Sequence, residues 1–174
     1  MAGLPILIAP DAQLKKPAVA VAQVDGEIRR LMNDMLETMY AANGIGLAAP
    51  QVGVLKRVIV VDTAPPDAPA QAMRLVNPEI LWQSDEAVSG EEGCLSLPDQ
   101  YADVSRPSQI RLRYLDTENK IRELEADGLL AKCIQHEIDH LNGVLFVDHV
   151  SAVKRNIILR KLTKAKKQGS LTPA

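Results

Sequence analysis

The sequence predicts an α+β fold: antiparallel or mixed sheets packed around a central helix that carries His-Glu-x-x-His, with an amphipathic helix before it and another helix at the C-terminal end. Three observations point there. Apolar residues recur at helical spacing in two separate stretches, 26–43 and 128–141. Extended segments lie between those stretches. The chain has 174 residues, 47% of them apolar, enough to bury one core without disulfide or metal staples. One catalytic domain over residues 1–174 is therefore expected.

From Gly26 to Asn43, Ile28, Leu31, Met32, Met35, Leu36, Met39 and Tyr40 share one helical face, opposite Arg29, Arg30, Asn33, Asp34 and Glu37. Asn43-Gly44 is expected to stop this helix, with Gly44 in the left-handed conformation. Gly44 to Gln51 then reads as a loop. Arg57 to Asp62 is a β-branched run, and the Pro-rich stretch 64–69 separates it from a second extended segment, Met73 to Gln83. Ile110, Leu112 and Tyr114 alternate with Arg111 and Arg113, which predicts a strand that turns through Asp116 to Asn119 and returns towards Leu124. The second helix should run from Gly128 to Leu141, capped by Asp127 and stopped by Asn142-Gly143. Val144 to Val147 reads as a last short strand. A third helix follows Ser151, and residues from Lys164 onward read as a basic tail that frays.

Composition excludes several functions. Only 3% of residues are aromatic and the formal net charge is −2, so the chain lacks both the stacking platforms and the basic excess of a nucleic-acid binder, and no specific DNA binding is expected. No window approaches the roughly 20 apolar residues of a membrane span. Met1 to Pro10 has neither a basic start nor an adequate apolar run, so Cys94 and Cys133 are expected to be free thiols of a cytoplasmic protein.

The chemistry concentrates in Gln135-His136-Glu137-Ile138-Asp139-His140. Residues i and i+4 of a helix lie about 40° apart round the axis and roughly 6 Å along it, so His136 and His140 can converge on one divalent ion. Glu137 flanks that position without pointing straight at it, as a base acting on coordinated water would. By itself the pattern also arises by chance in solvated helices rich in Glu and His, so a third ligand is needed. Cys94, Cys133 and His149 are the candidates. An ion midway between the two imidazoles would lie about 7 Å beyond the Cα of Cys133 along the axis, too far for a short thiol, so Cys133 reads as a wall residue of the same cleft. His149 stands alone at a junction and reads as structural. Cys94 lies in Glu91-Glu92-Gly93-Cys94-Leu95-Ser96-Leu97-Pro98, read as a loop in which Gly93 permits an unusual turn and Pro98 halts pairing, able to bring a thiolate and a backbone N–H to an ion on the helix. A further segment, Gly44-Ile45-Gly46-Leu47-Ala48-Ala49-Pro50-Gln51, has glycines that allow close backbone approach.

With these segments in order, the chain resembles the peptide deformylases, metal hydrolases that remove formate from the N-terminal formyl-methionine of new polypeptides. The family motifs GxGLAAxQ, EGCLS and HExDH stand here as Gly44 to Gln51, Glu92 to Ser96 and His136 to His140. The resemblance implies that Cys94, His136 and His140 bind one ion with water in the fourth position, that Glu137 is general base and acid, and that the Leu95 N–H and the Gln51 amide stabilise the oxyanion. It implies further that Gly46 pairs with the peptide and that Ile45, Leu129, Cys133 and the stem of Glu92 line a methionine pocket. Fe²⁺ is the implied native metal, with Zn²⁺, Ni²⁺ or Co²⁺ as other occupants that a thiolate and two imidazoles accept. N-formyl-methionyl peptides are the implied partners. Apart from the resemblance, Lys161, Lys164, Lys166 and Lys167 could touch ribosomal RNA near emerging chains, although an ordinary solvated helix end accounts for those lysines and is favoured.

Two positions depart from the family. Tyr101 stands where several bacterial relatives carry Arg, which bears on peptide-backbone contacts, and Lys132 stands where an aliphatic residue is common near the pocket rim. Two other functions fit parts of the pattern. An HExxH metallopeptidase would generally use His or a carboxylate as third ligand rather than a thiolate, and a non-catalytic structural metal module would need a fourth protein ligand to close the site.

Overall fold

A computed structural model describes residues 3–169. Along the chain, α1 (Gly26–Ala41) is followed by β1 (Gly46–Ala48), β2 (Val58–Val61), β3 (Met73–Gln83), β4 (Ala87–Cys94), β5 (Leu97–Pro107), β6 (Gln109–Leu115), β7 (Ile121–Asp127), α2 (Gly128–Leu141) and α3 (Ala152–Lys167). Five strands form one sheet in the order β1-β2-β3-β6-β7, every neighbouring pair antiparallel, and β4 pairs with β5 as a separate antiparallel hairpin. The mixed alternative is thereby resolved to antiparallel. Among the described residues no helix is long and apolar enough to cross a membrane.

The sheet is a partition between two helices, and β2 shows how. Its run Val58-Ile59-Val60-Val61 is fully buried because alternate residues face opposite sides. Val58 and Val60 pack with Ile28, Met32, Met35 and Met39 of α1, whereas Ile59 and Val61 pack with Ala131, Ile134 and Ile138 of α2. A third cluster joins Leu97, Ala102 and Val104 of the hairpin to Phe146, Val147, Ile158 and Leu162. Thus α2 is central: one side meets the sheet and the other meets the hairpin that carries Cys94.

Helix ends follow local chemistry. The Asp25 carboxylate accepts the Ile28 N–H at 3.0 Å and caps α1. At its other end Asn43, not Gly44, takes the left-handed conformation, with φ +59. Gly44 is needed for space instead, since a Cβ there would lie 2.7 Å from the side chain of Leu95. Asp127 occupies the N-cap position of α2 without forming a side-chain cap bond, and Gly143 at φ +74 follows the helix as expected. The turn at Asp116 to Lys120 is closed by the Asp116 N–H donating to the Lys120 carbonyl at 2.9 Å, with Asn119 at φ +61.

Four segments differ from expectation. Gly46–Ala48 is not loop but a short strand at the edge of the sheet, opposite Ile59–Val61; a leading glycine and only three paired residues hide it from pattern reading. Glu91 to Pro98 is not loop either: it belongs to the hairpin, which turns through Leu95 and Ser96, and Pro98 sits inside β5 at a shift of register rather than ending the pairing. Val144 to Val147 forms no strand. Leu145, Phe146 and Val147 are buried in the third cluster while 146–149 make a 3-10 turn, so burial rather than pairing explains the composition. Lys164 to Lys167 do not fray but complete α3, where cations at the C-terminal end complement the helix dipole; the rest of the expected tail, from residue 170, lies outside the described residues.

Leu112, fully buried between the sheet and α2, tests this packing. Leu112→Ala is expected to cost about 2–5 kcal/mol in chemical denaturation, through lost burial and the cavity left behind.

Candidate active site

Residues 136, 137 and 140 reach the site from the interior face of α2. The rings of His136 and His140 meet edge to face with centroids 5.0 Å apart, and the Sγ of Cys94 lies 3.3 Å from the Nε2 of His140. One donor atom each from Cys94, His136 and His140 falls within 4.8 Å of the other two. Ligands on a tetrahedral ion with legs of 2.0–2.3 Å are separated by about 3.3–3.6 Å, so the three could hold a metal. The donor set is also chemically apt, because a thiolate with two imidazoles suits a divalent transition ion.

His136 is held from behind. Its Nδ1 donates to Glu92 Oε1 at 3.0 Å, which leaves its other ring nitrogen for the cluster. The ring also stacks on Phe146, with centroids 6.3 Å apart. Burial opposes the charge of Glu92, but hydrogen bonds from His136 and from Arg106 outweigh it and hold that carboxyl down to about 2. For His136, burial disfavours the proton, yet hydrogen bonds to Cys94 and Glu92 and the charge of Glu137 more than reverse this and raise its pKa well above the usual value. Burial, then repulsion from His136, drives His140 the other way. The surroundings of His136 are therefore built to keep one positive charge beside them.

Glu137 is 4% exposed, and its Oε1 has no hydrogen-bond partner among the described residues. Burial is the main reason its pKa is raised to about 7. An unpartnered buried carboxylate oxygen beside three donors fits a role towards an ion and its water.

On the opposite wall, Gln51 is 1% exposed and its amide is fixed at both ends. Its Oε1 accepts the Ala48 N–H at 2.9 Å, and its Nε2 donates to Ser96 Oγ at 3.0 Å and to Cys94 Sγ at 3.5 Å. Gly46 lies so close to α2 that a Cβ would sit 2.6 Å from Glu137 Oε2 and 2.7 Å from Cys133 Sγ. A cavity of about 640 Å³ opens here. Of the residues singled out in the sequence, Glu137, Gln51, Leu95, Ile45, Gly46, Glu92, Leu129, Cys133, Cys94 and His136 all line it, and His140 alone lies behind the surface. Ile45 and Leu129 are 43% and 50% exposed at its mouth, a position in which apolar side chains mark binding.

The remaining candidates sit apart from the donor cluster. The Cys133 thiol, whose pKa burial pushes well up, donates to the Ile45 carbonyl at 3.5 Å, and His149 donates to Asp139 Oδ2 at 2.8 Å. Tyr101, at the rim, lies over Gly93, where a Cβ would meet its ring at 2.6 Å. Lys132, also at the rim, donates to the Glu91 carbonyl at 2.5 Å. Sequence reasoning missed Arg106, Ser96 and Phe146. Arg106 carried a signal: Ala102, Val104 and Arg106 occupy the same face of β5, and an inward-pointing guanidinium on a strand implies a buried anion.

Comparison with known proteins agrees in sequence and in structure. A family model described as Polypeptide deformylase matches residues 4–156. The peptide deformylase of Methylocella silvestris is 56% identical over 172 residues, covering 97% of this chain and 88% of that protein. That of Alkalilimnicola ehrlichii is 57% identical over 169 residues, covering 97% and 94%. Among solved structures, a crystal structure of peptide deformylase from Ehrlichia chaffeensis superposes with a TM-score of 0.91 at 38% identity, covering 97% of this chain and 99% of that one. A second, of peptide deformylase from Ehrlichia chaffeensis in complex with actinonin, has a TM-score of 0.90 at 41% identity, covering 94% and 98%. With a family model matched over most of its length and relatives more than half identical across nearly all of it, this chain belongs to the peptide deformylase family.

Proposed function

We propose that the chain, acting as one catalytic domain in the cytoplasm, hydrolyses the formyl group from the N-terminal formyl-methionine of newly made polypeptides. The observation that carries this reading is the convergence of Cys94, His136 and His140 beside the unpartnered Glu137 oxygen. Cys94, His136 and His140 would hold one divalent ion, with Fe²⁺ as the native metal and Zn²⁺, Ni²⁺ or Co²⁺ as substitutes. Such an ion supplies Lewis acidity to water and to the formyl oxygen.

The chain's own groups do the rest. The methionine side chain enters between Ile45, Leu129, Cys133 and the stem of Glu92. Gly46 offers its backbone to an extended peptide, because β1 is an edge strand whose outer side pairs with no other strand among the described residues. As the formyl oxygen gains negative charge, the Gln51 Nε2 and the Leu95 N–H donate to it. Glu137 takes a proton from the attacking water and returns it to the departing amine nitrogen, leaving formate and a free N-terminus.

Neither competing function is favoured. A structural module needs a fourth protein ligand, but Cys133 and His149 are bonded to Ile45 and Asp139 and lie outside the donor group. A metallopeptidase of this type would generally carry His or a carboxylate where Cys94 stands. What α3 offers ribosomal RNA is Lys161, Lys164 and Lys167, since Lys166 donates to the Ile8 carbonyl at 3.1 Å; a solvated helix end remains the simpler account.

Formate release from formyl-Met peptides is the direct test. Glu137→Gln should lower turnover by about 100-fold or more with the ion retained, and Cys94→Ala should lose ion and turnover together. A Cys94→Ala protein that keeps its metal would refute the ligand set. Gln51→Leu, which removes one oxyanion donor, is expected to cost on the order of 100-fold in kcat.

The buried Glu137 also makes a statement about stability. Its pKa of about 7 in the folded protein exceeds the ordinary 4.5, so between those values the native state holds a proton that the unfolded chain has released. Stability of the metal-free protein should therefore fall as pH rises through that window, by up to about 3 kcal/mol. Thermal melts after metal removal should show Glu137→Gln more stable than the parent at pH 8 and level with it near pH 4.5.

A further inference from the structure

We propose that Arg106, Asp139 and His149 are positioning residues, forming a relay that fixes His136 and so governs how tightly the chain keeps its ion. The inference rests on the metal-hydrolase reading above. It starts from the group behind His136. Glu92 is buried, and both of its oxygens are engaged by one guanidinium: Arg106 donates from Nε to Oε2 at 2.5 Å and from Nη2 to Oε1 at 2.9 Å. A planar two-point contact sets the plane of the carboxylate, and that plane sets where the His136 ring points. A carboxylate merely near His136 would supply charge; one clamped at both oxygens also supplies direction.

Arg106 is clamped in turn. Its remaining Nη1 donates to Asp139 Oδ2 at 2.9 Å, which ties β5 to α2 one residue from His140. The same Asp139 oxygen accepts the Nε2–H of His149 at 2.8 Å. Asp139 and His149 are the outer, partly exposed links of the series, whereas Arg106 and Glu92 are buried. His149 closes the 3-10 turn that begins at Phe146, and Phe146 is the ring stacked on His136. One short turn thus holds His136 twice, by its face through Phe146 and by its Nδ1 through four linked side chains. Lysine could not replace Arg106, because a single ammonium cannot grip both oxygens of Glu92 and reach Asp139 as a fixed fork.

The test uses full-length protein loaded with Co²⁺ and follows transfer of the ion to an excess of chelator, with no substrate present. Outer partners of metal ligands typically contribute 10–100-fold to affinity, so Arg106→Lys and Asp139→Asn should each release Co²⁺ about 10–100-fold faster than the parent, and His149→Ala should release it faster by a smaller factor. The Co²⁺ visible spectrum should change in the first two variants, and in turnover assays kcat should fall by a larger factor than KM rises, since neither substituted residue itself lines the cavity. If Arg106→Lys fails to fold, the other two decide. Folded Asp139→Asn and His149→Ala proteins that release Co²⁺ at the parent rate with unchanged spectra would overturn the relay alone. A parent protein that takes up no Co²⁺ would overturn the metal reading, and the relay with it.

Discussion

Burial of a dense polar group on one helix is the constraint around which this molecule is organised. His136, Glu137 and His140 are each less than 10% exposed, and Cys94 approaches them from a different sheet. Unpaired, such groups would cost several kcal/mol each. They persist because nearly every polar atom has an assigned partner: His136 has Glu92, Glu92 has Arg106, and Gln51 has Ala48 and Ser96. The exceptions are informative, since Glu137 Oε1 and His140 Nδ1 alone are without hydrogen bonds among the buried side-chain atoms of the described residues.

That constraint explains the architecture around it. Two sheets are needed because the donors come from two directions. The five-stranded sheet gives α2 an apolar bed and presents β1, with Gly46, at its edge; the separate hairpin brings Cys94 and Glu92 over the other side. Glycine at 46 follows from the same crowding, because any side chain there would collide with Glu137 and Cys133. Phe146, the single phenylalanine of the chain, is spent against His136 rather than in the core of the main sheet.

Much of this was legible in the residues. The periodicity of α1 and α2 is set by apolar side chains that face the sheet, so both helices could be placed almost to the residue. The 3.6-residue repeat likewise put His136 and His140 on one side and left Cys133 out of the donor group. What stayed hidden depended on tertiary packing. Three residues of β1 are a strand only because β2 lies beside them, and 145–147 are apolar because they fill a cluster, not because they pair. Pro98 within β5 is tolerated at a shift of register that no local pattern announces. The contacts of Arg106, across 14 residues to Glu92 and 33 to Asp139, are beyond any window of sequence, although its inward phase on the strand was visible.

The central claim is that a sulfur from the hairpin and two ring nitrogens from α2 share one ion. X-ray absorption at the metal edge of zinc-loaded protein reads that shell directly. The account predicts one sulfur at about 2.3 Å, two nitrogens at about 2.0–2.1 Å and one further light atom supplied by solvent. A shell without sulfur, or one filled by four protein donors, would contradict it.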